Sequence, residues 1–174
     1  MKSKIDLAKF IRNIPNFPKK GILFRDITTL LNNPQAFRKS IDELADLFKD
    51  KKIDFIVAAE SRGFIFGGVL AYKLRCGFVP VRKKGKLPYK TYRYTYKLEY
   101  GVDSLEIHRD AFSEGAKVLI VDDLLATGGT AQAIINLVKK FKVDIVGIAF
   151  LIELTDLKGR KKIKKYPVYS LIKF

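Results

Sequence analysis

The run Lys117-Val-Leu-Ile-Val-Asp-Asp-Leu-Leu-Ala-Thr-Gly-Gly-Thr130 constrains the fold more than any other part of the chain. Val118 to Val121 are consecutive β-favouring apolar residues, the pattern of a strand covered on both faces in a parallel sheet. Asp122 and Asp123 are expected at its carboxyl end, where open α/β sheets place their ligands. Ala126-Thr-Gly-Gly-Thr130 then opens a helical stretch to about Phe141, with Ala131, Ile134, Ile135 and Val138 at helical spacing. Glycines turn backbone N–H groups toward an anion, and a helix N-terminus adds partial positive charge. A phosphate on the turn and a polyol hydrogen-bonded to the carboxylates describe a phosphorylated sugar.

The same residues also describe an ordinary βα junction with an Asp cap. Two other phosphate-binding patterns are excluded by inspection: no lysine follows the glycines, as GxxxxGK[ST] requires, and there is no GxGxxG.

A length of 174 residues suits one domain with a sizeable core, and 48% hydrophobic residues argue against disorder. No apolar stretch approaches the roughly 20 residues of a membrane helix. The start, Met1-Lys-Ser-Lys-Ile-Asp, has no apolar signal core, so a cytoplasmic location is expected. Cys76 is the only cysteine, which permits no internal disulfide and agrees with a reducing compartment. With no Cys/His cluster, a structural zinc site is not expected.

The formal charge of +16 has two readings. Clustered cations bind nucleic acid, or they capture a highly anionic small substrate. Arg82, Lys83, Lys84, Lys86, Lys90, Arg93 and Lys97 form one run without an acid, placed in an active-site loop. Lys158, Arg160, Lys161, Lys162, Lys164 and Lys165 form a second, read as a solvated face.

Ile5 to Ile14 reads as a short helix stopped by Pro15. Gln35 to Asp50 carries a helical apolar stripe. Ile53–Ala59 and Gly77–Val81 read as strands around a helix from Phe64 to Arg75. Lys117 to Glu153 reads as a strand–helix–strand unit. Strands alternating with helices imply a doubly wound, mostly parallel sheet. The long segment between Val81 and Lys117 reads as a functional flap.

Glu60-Ser61-Arg62-Gly63 repeats the turn logic at another strand end, with Gly63 starting the helix. Arg62 matches phosphate oxygens bidentately, which makes this a candidate pyrophosphate seat. Pairing of Arg62 with Glu60 on the surface is the competing reading. Two anion seats at strand ends suit one ligand with phosphates at both ends.

The Val118–Thr130 string resembles the phosphoribosyl-pyrophosphate (PRPP) signature of type I phosphoribosyltransferases. Phe17-Pro-Lys-Lys-Gly-Ile-Leu-Phe-Arg-Asp-Ile, Glu60-Ser-Arg-Gly-Phe, Arg82-Lys-Lys-Gly-Lys-Leu-Pro and Leu98-Glu-Tyr-Gly accompany it in order. Val168-Tyr-Ser-Leu-Ile resembles the family's final strand. As a set they resemble the adenine-using members over nearly the whole chain. The resemblance implies the type I phosphoribosyltransferase fold as a single domain over 1–174, with a purine-binding hood over 1–34 and a flexible flap over 82–106.

It also implies roles, position by position. Leu23, Phe24 and Arg25 build the purine pocket, with Phe24 stacking on the base; an ordinary core aromatic is the alternative for Phe24. Arg62 contacts pyrophosphate, and Arg82, Lys83 and Lys86 line the pyrophosphate side. Glu99, with Tyr100 beside it, sits near the purine, where the acid either manages its proton or only hydrogen-bonds it. Asp122 and Asp123 hold the ribose. Ala126, Thr127, Gly128, Gly129 and Thr130 hold the 5′-phosphate. The catalytic set is Glu99, Arg62, Asp122 and Asp123. The implied reaction joins adenine to PRPP and releases AMP and pyrophosphate. It uses a Mg²⁺ held mainly by PRPP and water rather than by the protein. A homodimer is implied, with neither a specific nucleic acid nor a membrane as partner.

Two other functions fit the same motifs: transfer to guanine or xanthine, and a PRPP-sensing or RNA-binding regulator. Only about 20 residues precede Phe24-Arg-Asp-Ile, too few for a separate DNA-binding region. Pro88-Tyr-Lys-Thr-Tyr-Arg-Tyr-Thr-Tyr-Lys97 departs from the family pattern. Its period-two alternation suggests a β-hairpin flap, while aromatic–basic interleaving also resembles a single-stranded nucleic-acid platform. His108, the only histidine, is read as structural.

Overall fold

The structure is a computed structural model that describes residues 5–97 and 102–174. The chain divides into two compact units, Met1–Glu43 and Leu44–Phe174, with the boundary inside a helix.

In the first unit, β1 (Arg12–Pro15) pairs antiparallel with β2 (Leu23–Asp26), and the short α1 (Thr28–Leu31) and the start of α2 (Pro34–Asp46) follow. The helix expected over Ile5–Ile14 is reduced to a 3₁₀ turn at Leu7–Phe10, capped by Asp6, whose carboxylate accepts from the Ala8 N–H at 3.1 Å. Pro15 is the cause. It biases the residue before it toward extended backbone, and the β2 ladder rewards that conformation with hydrogen bonds. Asp26 anchors the unit by accepting from Arg12 Nε at 2.9 Å and from the Thr28 backbone N–H at 2.9 Å.

The second unit is a seven-stranded sheet in the order β5-β6-β4-β3-β7-β8-β9. These strands are β3 (Phe55–Ala59), β4 (Gly77–Lys83), β5 (Thr91–Lys97), β6 (Val102–His108), β7 (Lys117–Leu125), β8 (Asp144–Glu153) and β9 (Val168–Lys173). From β4 through β9 the neighbours are parallel; only β6 on β4 and β5 on β6 are antiparallel. The helices are α3 (Arg62–Leu74), α4 (Gly129–Val138) and the one-turn α5 (Arg160–Ile163). Alternation along the strands separates two faces. Ile56, Ala58 and Phe78 lie against Gly67 of α3, whereas Val57, Val79, Val118 and Ile120 share a core with α4. β3 and β7 are therefore covered on both sides, as their unbroken apolar runs anticipate.

The alternating segment is a hairpin, β5–β6, that forms the sheet edge. Tyr92, Tyr94 and Tyr96 turn inward and pack on the α4 core. On the opposite face, Arg93 Nε donates to the buried Glu106 Oε1 at 2.7 Å. These three rings are half-buried against that core rather than displayed as an exposed stacking face.

The C-terminal basic run is likewise of two kinds. Lys158, Lys161, Lys162, Lys164 and Lys165 are exposed. Arg160 is not part of the solvated face. Its Nε and Nη2 clamp Glu153 at 2.6 and 2.7 Å, and its Nη1 donates to the Val168 carbonyl at 2.7 Å. That clamp ties α5 to β8 and β9.

Candidate active site

β3 and β7 are parallel neighbours, paired from Phe55↔Val118 to Ala58↔Val121, so the turns after them open at the same end of the sheet. Between those turns lies a cavity of about 420 Å³. Glu60, Ser61 and Arg62 line it from β3–α3; Asp122, Asp123 and residues 124–131 line it from β7–α4.

The acidic pair is not beyond the strand, as the sequence suggests, but inside it, because β7 runs on to Leu125. Leu124 and Leu125 continue the parallel ladder with Ile152 and Glu153, which extends β7 past the last apolar residue of its initial run. Asp122 Oδ1 accepts from the Asp123 N–H at 2.9 Å. Its carboxylate lies against the first turn of α3, where a Cβ on Gly63 would stand 2.7 Å from Asp122 Oδ1. Only glycine leaves that space. Burial, and then the charge of Asp123, push the Asp122 carboxyl well above its ordinary range; the Asp123 N–H and Arg62 oppose the shift.

Arg62 takes Asp123 rather than Glu60 as its carboxylate partner. Its Nε donates to Asp123 Oδ2 at 2.6 Å, and its Nη2 forms an ion pair with the same oxygen. The cation of one seat and a carboxylate of the other are thus joined directly across the cavity.

Glu60 organises the basic residues instead. Arg82 Nε and Nη2 donate to its Oε2 at 3.2 and 3.1 Å, and Lys86 Nζ stands 3.5 Å from that oxygen. The Lys83 backbone N–H donates to Oε1 at 2.6 Å. Burial works against ionisation of Glu60, but the Lys83 N–H, Arg82 and Lys86 outweigh it and hold the carboxyl below its ordinary range. Glu106 braces the same loop from β6, accepting from the Gly85 N–H at 2.9 Å. The Lys83 ammonium points elsewhere, to Asp103 at 3.3 Å.

The loop from Ala126 to Gly128 leads into α4 at Gly129, one residue earlier than Thr130, and the helix stops at Val138 rather than near Phe141. Gly128 has a φ of +78°, and a Cβ there would meet the Gly159 carbonyl oxygen at 2.6 Å. Residues 126–130 carry no charged side chain. An anion there relies on backbone N–H groups, the hydroxyls of Thr127 and Thr130, and the helix end.

The other expected residues have separate positions. Leu23, Phe24 and Arg25 lie in β2 of the first unit. Leu23 is exposed, Phe24 meets the Phe17 ring edge-on at 5.1 Å, and Arg25 Nη1 donates to Asn13 Oδ1. Glu99 and Tyr100 lie outside the described residues. Glu60 and Ser61 line the cavity although the motif reading did not select them. An acid beside an anion seat was the available signal for Glu60.

Comparison with known proteins agrees with this geometry. A family model described as a phosphoribosyl transferase domain matches residues 26–173, and the chain belongs to that family. Relatives at high identity narrow the class. The adenine phosphoribosyltransferase of Brachyspira hyodysenteriae is 61% identical, aligned over 98% of this chain and 100% of its own. That of Thermotoga maritima is 58% identical over 97% and 98%. Among solved structures, the adenine phosphoribosyltransferase of Thermoanaerobacter pseudethanolicus superposes with a TM-score of 0.94 at 56% identity, covering 97% and 98% of the two chains. The Saccharomyces cerevisiae enzyme, crystallised with adenine and an imino-altritol bisphosphate, gives 0.89 at 46% identity over 94% and 95%.

Proposed function

We propose that this chain is an enzyme that transfers the 5-phosphoribosyl group of PRPP to adenine, forming AMP and pyrophosphate. One observation carries the chemistry: a single cavity lined by an acidic pair, an arginine and a charge-free glycine loop at a helix N-terminus. Its contents match a ligand with a phosphate at each end and a ribose between. Adenine as acceptor follows from the relatives, which share that activity in name at 58–61% identity over almost the whole chain.

The 5′-phosphate rests on residues 126–130, and the ribose hydroxyls donate to Asp122 and Asp123. Displacement at the anomeric carbon passes through an oxocarbenium-like state, positive on the ribose and increasingly negative on the departing pyrophosphate. Carboxylates beneath the first and cations around the second stabilise both charges where they develop. Burial first, and then the nearby Asp123 carboxylate, make Asp122 resist ionisation. A cationic ribose reverses that penalty, so the pair stabilises the transition state more than the ground state. Arg62 exchanges its Asp123 partner for pyrophosphate oxygens, with Arg82, Lys83 and Lys86 on the same side. Leu23, Phe24 and Arg25 are the residues proposed to bind the purine, with Glu99 and Tyr100 as further substrate-binding residues on the strength of the family resemblance.

Among the described residues no three His, Cys, Asp or Glu side chains converge on one point. The adjacent carboxylates Asp122 and Asp123 would face a hydrated Mg²⁺ brought in by PRPP. Such an ion would offset charge on the pyrophosphate oxygens. A homodimer in the cytoplasm is the expected assembly and location; among the described residues no helix is long and apolar enough to cross a membrane.

The deciding measurement is AMP formation from adenine and PRPP with and without Mg²⁺, in the wild type and in Asp123→Asn. The wild type is expected to turn over, and the variant to lose about 10²- to 10³-fold in kcat. No AMP from the wild type sinks the assignment, and turnover of guanine or xanthine in its place moves it to another purine.

A further inference from the structure

The loop after β7 and the turn before α5 pack backbone against backbone. A Cβ on Gly128 would stand 2.6 Å from the Gly159 carbonyl oxygen. A Cβ on Gly159 would overlap the Ala126 carbonyl oxygen and stand 3.0 Å from the Gly128 nitrogen. Neither glycine has room for a side chain, so the backbone of 126–128 lies directly on Gly159.

The connection that carries Gly159 is fixed at both ends. At its start, the Leu154 N–H donates at 2.9 Å to the carbonyl of Leu125, the last residue of β7. At its end stands Arg160, whose three guanidinium nitrogens all have acceptors. Nε and Nη2 donate to the two oxygens of the buried Glu153 at 2.6 and 2.7 Å, and Nη1 donates to the Val168 carbonyl at 2.7 Å. Nη2 also reaches Ser170 Oγ at 3.1 Å, and that hydroxyl donates to Glu153 Oε2 at 2.6 Å. Hydrogen bonds from Arg160 outweigh burial and hold the Glu153 carboxyl below its ordinary range. A lysine, with one compact ammonium, cannot serve partners in three directions as this planar fork does.

We propose that Arg160, held by Glu153, is a positioning residue for the phosphorylated sugar, acting through Gly159. This rests on the reading above, in which residues 126–130 receive the 5′-phosphate. That loop has no charged side chain, so it grips a phosphate only as well as its N–H groups and hydroxyls are aimed. Hydrogen bonds weaken steeply as their angles close. The aim comes from beneath: Gly159 sets the backbone of 126–128, and the Arg160 fork sets Gly159. A cation read from the sequence as part of a solvated face thereby serves a cavity whose lining does not include it.

The test is Arg160→Lys in the full chain, which keeps the charge and removes the fork, beside Glu153→Gln, which attacks the clamp from its other side. Calorimetry with ribose 5-phosphate reads the phosphate loop; calorimetry with pyrophosphate and Mg²⁺ reads the opposite seat. In both variants ribose 5-phosphate is expected to bind about three- to tenfold more weakly, with pyrophosphate affinity within about twofold of wild type. Gly159→Ala, which presses on the loop directly, should show the same selectivity and a loss at least as large. Unchanged ribose 5-phosphate affinity in the two clamp variants overturns the proposal and leaves the clamp a role in stability alone. Equal losses for the two ligands also overturn it, because they signal general loosening. Neither probe carries a base or needs turnover. A wild type that binds both but makes no AMP therefore defeats the adenine assignment and leaves this result standing, whereas one with no affinity for ribose 5-phosphate defeats the proposal.

Discussion

The two strand-end turns face one cavity with opposite materials. The β3–α3 turn works with charged side chains: Arg62 at its tip, and Arg82 and Lys86 gathered by Glu60. The β7–α4 loop has no charged side chain between Ala126 and Thr130, and is shaped by Gly128 and by the Gly159 backbone beneath it. Charge on the leaving pyrophosphate grows during reaction, which suits cations on movable side chains. The 5′-phosphate is a spectator whose charge does not change, which suits rigid backbone N–H groups. One turn is built to respond and the other to hold.

Breaking the rigid side should have the largest effect. Gly128→Ala forces a side chain onto a φ of +78° and into the Gly159 carbonyl. Its expected cost is about 1–3 kcal/mol of strain, with KM for PRPP up by about tenfold or more. Steady-state kinetics beside a thermal melt would show both; a PRPP KM within twofold of wild type would mean that the loop is not held rigid.

The responsive side should yield more gently. Glu60→Gln keeps an acceptor for the Lys83 N–H but removes the charge that gathers Arg82 and Lys86. Hydrogen bonds to charged groups contribute about 1.5–3 kcal/mol, though partial exposure of the cations discounts that to about 1. KM for PRPP should rise about fivefold, and added salt should narrow the gap to wild type. An unchanged KM would remove Glu60 from the site.

Smallest in free energy, and opposite in sign, is Asp122→Asn. The Asp122 carboxyl sits above its ordinary range in the fold, so its contribution to stability is complete below the unfolded value of 3.8. That contribution is lost as pH rises through the folded value. An amide carries no such penalty and still accepts from the Asp123 N–H. At neutral pH the variant should melt about 2–4 °C higher while losing turnover. The acidic limb of the wild-type pH–rate profile should lie above the usual carboxylate range and disappear in the variant. A lower melting point would show that the Asp122 charge is not costly in the empty site.

Much of the cavity was legible in local pattern. Apolar runs at residues 55–59 and 118–121 marked buried parallel strands, and Glu60-Ser-Arg-Gly and Asp-Asp…Thr-Gly-Gly-Thr marked the turns after them. The failures share a cause. The Ile5–Ile14 helix lost to a strand because β2 offered a ladder that no local window contains. Arg160 left the solvated face because Glu153, Val168 and Ser170 come together only in the folded sheet. The alternating tyrosines suggested both a flap and a nucleic-acid platform, and only the core beneath them turned their rings inward.

What the sequence determined by itself was chemistry at short range: strand, turn, glycine and helix within a few residues, enough to imply a phosphate at each of two turns. The tertiary structure decided who pairs with whom. Arg62 meets Asp123 rather than Glu60, and Glu60 gathers the basic loop. Hydrogen bonds and ion pairs act over about 3 Å. Residues dozens of positions apart come within that range only when parallel pairing sets β3 and β7 side by side.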